Sequence, residues 1–216
     1  MISKRDLPLK LQAIDESNRS AHYYLAPDDK CYFLHEFTAR KGYAHSPGNQ
    51  FIFNFKKSPT KQAEPQYQHK LRAIQEAIFW YRSIFDQVNG SYTDCTYVPI
   101  PPSKKSDHSE YDDRMWRVVQ GICQGNGADG RELILQTDSY DAAHLAGEGA
   151  TRIKPDELRA LYRVSDVPPK TKRILIRRRT FRRLSLQSRK RSDIRSISNC
   201  KRVRILSGTA CDLKSL

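Results

Sequence analysis

The chain has 216 residues, of which 38% are hydrophobic, and a mean hydropathy of −0.72. That is enough for one α/β domain with a packed core, and no apolar run is long enough for a transmembrane helix. The net charge of +14 points to a nucleic-acid binder, but its distribution does not: residues 170–216 hold 16 Lys+Arg against 2 Asp+Glu, leaving 22 of each sign in residues 1–169.

The opening MISKRDLPLK has no apolar h-region, so no secretory signal is expected. Five dispersed cysteines, without a CxxC pair, fit free thiols and a cytoplasmic location. Residues 5–20 read as a short mixed helix carrying Leu7, Leu9, Leu11 and Ile14. Residues 31–55 alternate aromatic and polar types. Phe51, Phe53 and Phe55 fall on one face of a period-two strand, and SPGN at 46–49 is read as a turn before it. The proline-bearing stretch 56–66 is a loop. Residues 67–87 form the clearest helix, with Leu71, Ile74, Ile78, Tyr81 and Phe85 at three-to-four spacing.

CTYVPIPPSKK is a short apolar strand running into a double proline, followed by an acidic loop at 106–114. Residues 115–125 read as a helix, GNGADG as a turn and 132–139 as a strand. Pro155, Asp156 and Glu157 open a helix over 155–164, with the acids in the first turn. KRILI, at 172–176, has the apolar character of a central parallel strand. The succession predicts a parallel α/β sheet.

Other constellations are weaker. Cys31, His35 and His45, with Asp29 nearby, lack a fourth ligand at zinc spacing, so no metal site is assigned. Cys95 and Cys123 lie within apolar runs and are expected to pack rather than react. GNGADG departs from GxGxxG, and the six histidines form no hydrolase triad.

The segment VPIPPSKKSDHSEYDDRM, at 98–115, carries the most chemistry. It delivers backbone N–H groups, a hydroxyl and an ammonium on a stiff loop, a combination suited to phosphate. PIPPSK followed by YDDRM resembles a bacterial family of type I phosphoribosyltransferase-like proteins over roughly residues 20–176. The resemblance implies a Rossmann-like parallel sheet with an N-terminal hood around 20–60. The implied reaction is Mg-dependent transfer between phosphoribosyl pyrophosphate and a nucleobase or amine. It also implies a pyrophosphate loop of Pro102, Ser103 and Lys104, with Arg114 as a second contact and Asp112 and Asp113 as loop acids. No catalytic residue is assigned.

The family's next element is an apolar strand ending in two acids, then a glycine-containing turn into a helix that holds ribose hydroxyls and 5′-phosphate. KRILI supplies the strand, but Arg177, Arg178 and Arg179 replace the acids. Arginine codons CGA, CGA, CGT, shifted by one nucleotide, read Asp, Asp and the start of Val. Continued through residues 176–190, the shift permits FDDVLSDGCHFKAAK, which resembles the family's loop. The reading therefore divides the chain into an incomplete domain, 1–176, and a basic tail, 177–216, translated out of frame and without a selected fold. Such a chain is expected to be inactive as a transferase. A genuine basic arm that binds nucleic acid is the alternative, since 13 Lys+Arg lie in 177–216, although only Phe181 is available there for base stacking. A noncatalytic nucleotide-binding module is the third reading.

Overall fold

The computed structural model describes residues 11–17, 19, 30–38, 40–87, 92–140, 155–170, 173–177 and 203–206. In chain order these supply β1 (Gln12–Ala13), β2 (Lys30–Phe33), α1 (Pro47–Phe55), α2 (Gln68–Gln87), β3 (Cys95–Pro99), α3 (Arg114–Cys123) and β4 (Asp129–Gly130). There follow β5 (Ile134–Gln136), α4 (Pro155–Ala160), β6 (Tyr162–Val164), β7 (Arg173–Arg177) and β8 (Val203–Leu206). The main sheet has the order β1-β2-β8-β7-β3-β4; β1 is antiparallel to β2 and the other pairs are parallel. The architecture is α/β.

Every residue of β3 is buried, as a parallel strand covered on both faces requires. Cys95 and Tyr97 join the core built by α1, α2 and α3. Phe51 links the layers: its ring stacks on Phe55 at 5.2 Å and lies 4.8 Å from Trp80 of α2. On α2 the buried positions are 70, 73, 74, 77, 80, 81, 84 and 85, a helical stripe. It is rotated from the expected one, because Leu71 and Ile78 are only half-buried. Gly121 permits α3 to pack close to α2, since a Cβ there would stand 2.3 Å from Ile78 Cδ1. Cys95 is buried, and burial pushes the half-buried Cys123 thiol up to about 11.

Several expectations are corrected. Phe51, Phe53 and Phe55 lie on a helix, not a strand. Ser46 caps it by accepting from Asn49 N at 3.1 Å, and Pro47 sits at its first turn. Phe51, Ile52 and Phe55 then face inward, and Phe53 faces out. Gln12–Ala13 is a strand within the stretch read as a helix; Leu7 and Leu9 lie outside the described residues. The described part of the expected hood belongs to the main domain, because β2 pairs within the main sheet and α1 packs on α2. The strand at 132–139 does not join that sheet: Ile134–Gln136 pairs antiparallel with Tyr162–Val164. Asp129–Gly130 takes the place beside β3. Gly130 fits there because a Cβ would meet Val119 Cγ1 at 2.9 Å and Cys123 Sγ at 3.0 Å. The helix opened by Pro155 stops at Ala160, and Tyr162–Val164 becomes extended by pairing with β5.

Arg173–Ile176 of KRILI, with Arg177, form β7 between β3 and β8, as expected for a central strand. Within the tail, Val203–Leu206 pairs with β2 and β7; VRIL is a short β-branched run suited to a strand. The rest of 178–216, including Arg178, Arg179 and Phe181, lies outside the described residues, as does Asp29.

Asp129 anchors the 165–170 segment to the sheet edge. Its carboxylate accepts from Thr96 Oγ1 at 2.7 Å, Arg131 Nε at 2.7 Å and Lys170 N at 3.1 Å. Burial alone pushes this carboxyl up, but the bonds from Arg131, Thr96 and Lys170 outweigh it and hold it below its ordinary 3.8. A folded-state pKa below the unfolded one adds stability above the unfolded pKa, and this is lost as pH falls through the folded value. Asp129→Asn is therefore expected to cost about 1–3 kcal/mol at neutral pH and to flatten the loss of stability on acidification below pH ~4. Urea midpoints at neutral and acidic pH for both proteins measure this.

Candidate functional site

The loop 100–105 leaves the carboxyl end of β3, the end of a parallel sheet where ligands bind. The register sets Arg177, at the end of β7, opposite Pro99. The loop is pinned from one side. Ser103 O accepts from Tyr140 N at 2.9 Å and from Gln136 Nε2 at 2.7 Å. Lys105 N donates to Ser139 Oγ at 3.0 Å, and Lys105 Nζ pairs with Asp107 at 3.0 Å. Pro102, Ser103 and Lys104 are all half-buried.

Beneath the acidic flank lies a group that sequence reasoning missed. Lys70, on α2, is fully buried. Its ammonium donates to Asp112 Oδ2 and to Lys57 O, each at 2.6 Å, and stands 5.7 Å from the centre of the Tyr67 ring. Asp112 Oδ2 also receives the Arg114 guanidinium, and Arg114 N donates to Asp112 Oδ1 at 3.2 Å. The guanidinium lies over Phe55, 5.6 Å from the ring centre. One carboxylate thus gathers two cations. Burial pulls the Lys70 ammonium down from its ordinary value, with Asp112 acting against that; burial also pushes the Tyr67 phenol up, with Asp112 adding to it.

These contacts decide what the predicted residues can do. Asp112 is 6% exposed and committed to Lys70 and Arg114. Arg114 is paired with its neighbour; its buried Nε has no hydrogen-bond partner among the described residues. Asp113 is exposed at the N-cap of α3, where the helix dipole favours its charge, and makes no capping bond. The structure brings Pro102, Asp112 and Asp113 to one crevice, together with Tyr111, Trp116 and Glu132. Ser103 and Lys104 do not line it. Its volume of about 10 Å³ admits a single water at most. Burial pushes both Tyr111 and Glu132 up.

The described residues do not fit a resident Mg²⁺. Asp112 is already neutralised, which leaves Asp113 as the one exposed acid of the pair, and no cluster of three His, Cys, Asp or Glu that could hold a metal occurs among the described residues. A larger concavity, about 630 Å³ and open, lies between α2 and α3, lined by Ile74, Ile78, Arg82, Trp116 and Gln120 among others. It does not include the proline loop. No helix among the described residues is long and apolar enough to cross a membrane.

No family model matches the chain, and no curated protein matches it significantly.

Removing one partner of a buried pair leaves an uncompensated charge. Asp112→Asn, which strands the buried Lys70 ammonium, is expected to lower stability by about 3–5 kcal/mol, and Lys70→Ala by less, because Asp112 keeps its Arg114 partner. In the double variant the losses should sum to less than the two singles, because the second change removes a charge the first left unpaired. A double-mutant cycle from urea denaturation reads the coupling.

Proposed function

We propose that this chain is a phosphoribosyltransferase-like protein whose 100–105 loop takes a diphosphate, and that it lacks transferase activity in this form. The observation that carries the reading is the position of the loop: a proline-stiffened PIPPSK turn at the carboxyl end of a central parallel strand. A diphosphate there needs hydrogen-bond donors and cationic charge, which Ser103 and Lys104 can offer. The crevice behind Pro102 is too small for it, so the ligand lies on the outward side of the loop. Lys70, Asp112 and Arg114 position the flank instead of touching the ligand.

Transfer at ribose C1 needs more than diphosphate. The ribose must be held while positive charge grows on its ring, and groups fixed in advance do this best. Arg177 stands at the strand end where the family places acids. Without those acids the positioning term is lost, and binding without turnover remains.

The test is calorimetric titration of the full chain with phosphoribosyl pyrophosphate and with inorganic pyrophosphate at near-physiological salt. Binding that weakens about tenfold or more in Lys104→Ala is expected, consistent with losing one charge-assisted contact. Affinity unchanged by Lys104→Ala would assign the anion to the basic tail and overturn the loop reading. Release of pyrophosphate from phosphoribosyl pyrophosphate in the presence of nucleobases would overturn the inactivity.

A further inference from the structure

A second surface combines aromatic rings and positive charge, well apart in sequence from the proline loop. Phe37, Tyr43 and Phe53 form a cluster. The Phe53 ring lies 6.2 Å from Phe37 and 6.2 Å from Tyr43. Tyr43 is 49% and Phe53 44% exposed, unusual for large rings that touch one another outside the core. Lys56 Nζ sits 5.4 Å from the centre of the Phe37 ring. Between residues 36 and 57 the cations are Arg40, Lys41, Lys56 and Lys57, and the one acid is Glu36. None of the four cations forms an ion pair among the described residues.

The rings are held on a fixed frame. Asn49, fully buried, accepts from Thr38 N at 2.9 Å and donates to Thr38 O at 2.9 Å and Gly42 O at 2.8 Å. That one amide fastens Thr38 and Gly42, and so the approach to Tyr43, to α1, which carries Phe53. A platform ordered before binding loses less entropy on binding.

We infer that this face binds single-stranded nucleic acid, with unpaired bases stacking on Tyr43 and Phe53 and backbone phosphates meeting Arg40, Lys41, Lys56 and Lys57. Exposed rings offer a π-face to any base, and the excess of cations fits a polyanion. A duplex hides its base faces and gains only the charge term. An acidic peptide likewise satisfies the cations and leaves the rings unused. The inference does not depend on the diphosphate reading, because no residue is shared.

The test compares a short labelled oligothymidylate with a duplex of equal length by fluorescence anisotropy, on the full chain at near-physiological salt. The basic tail contributes to both, so the ratio of affinities is the readout. Wild type is expected to favour the single strand. Tyr43→Ala/Phe53→Ala is expected to lose that preference by about tenfold or more while duplex affinity stays unchanged. Both side chains are exposed, so the variant should keep its thermal midpoint. Tyr43→Trp gives a direct signal, with indole fluorescence quenched by the oligothymidylate and not by the duplex. No preference in wild type, a preference that survives the double substitution, or absence of quenching overturns the inference. Displacement by polyglutamate as effective as by unlabelled oligonucleotide also overturns it and assigns the face to acidic peptides.

Discussion

The Lys70–Asp112 contact is the constraint around which the site is arranged. It ties the first turns of α2 to the loop that enters α3, and through Lys57 O it also holds the chain just after α1. Three segments distant in sequence meet at one ammonium. A charge taken fully out of water tolerates few arrangements, since any displacement strands it without a partner. The pair therefore fixes where α3 begins, and with it where Asp113 is displayed. The carboxylate pays for this role with its availability: held by two cations, it is not a general base or a metal ligand.

Much of the central framework was legible in the sequence. The helices at 68–87 and 114–123 and the strands CTYVP and RILIR announce themselves through periodicity and through short apolar runs bounded by turns. The FIFNF segment was not legible by alternation, because Phe51 and Phe55 satisfy both a period of two and an i, i+4 spacing. The cap decides between them: Ser46 and Pro47 commit the chain to a helix before the first phenylalanine. Asp129–Gly130 was invisible for the opposite reason, since two residues carry no period and their pairing is set by what α3 leaves room for.

The site divides along the same line. The proline loop and the YDDR segment were legible because unusual residues stand close together in sequence. Lys70 was not, although it falls in register with Ala73, Ala77 and Ile84 on the buried stripe of α2. A lysine in such a register looks like a boundary residue whose stem lies along apolar surface while its head reaches water. Only the arrival of Asp112 from a segment 42 residues away changes that meaning. Long-range electrostatic pairing leaves no local trace, which also explains why Arg114 looked free for a ligand.

The burial of the thiols has a consequence for how the core can be followed in time. Cys95 is closed off within the β3 core, and with its pKa near 11 only about one Cys123 side chain in 10⁴ is thiolate at neutral pH. Both are therefore slow targets for electrophiles while α3 lies on the sheet. An electrophile that modifies them quickly has met molecules in which that layer has lifted. Peptide mapping of the modified cysteines then turns the protein's own thiols into a clock for the opening of the helix–sheet interface, with no label introduced.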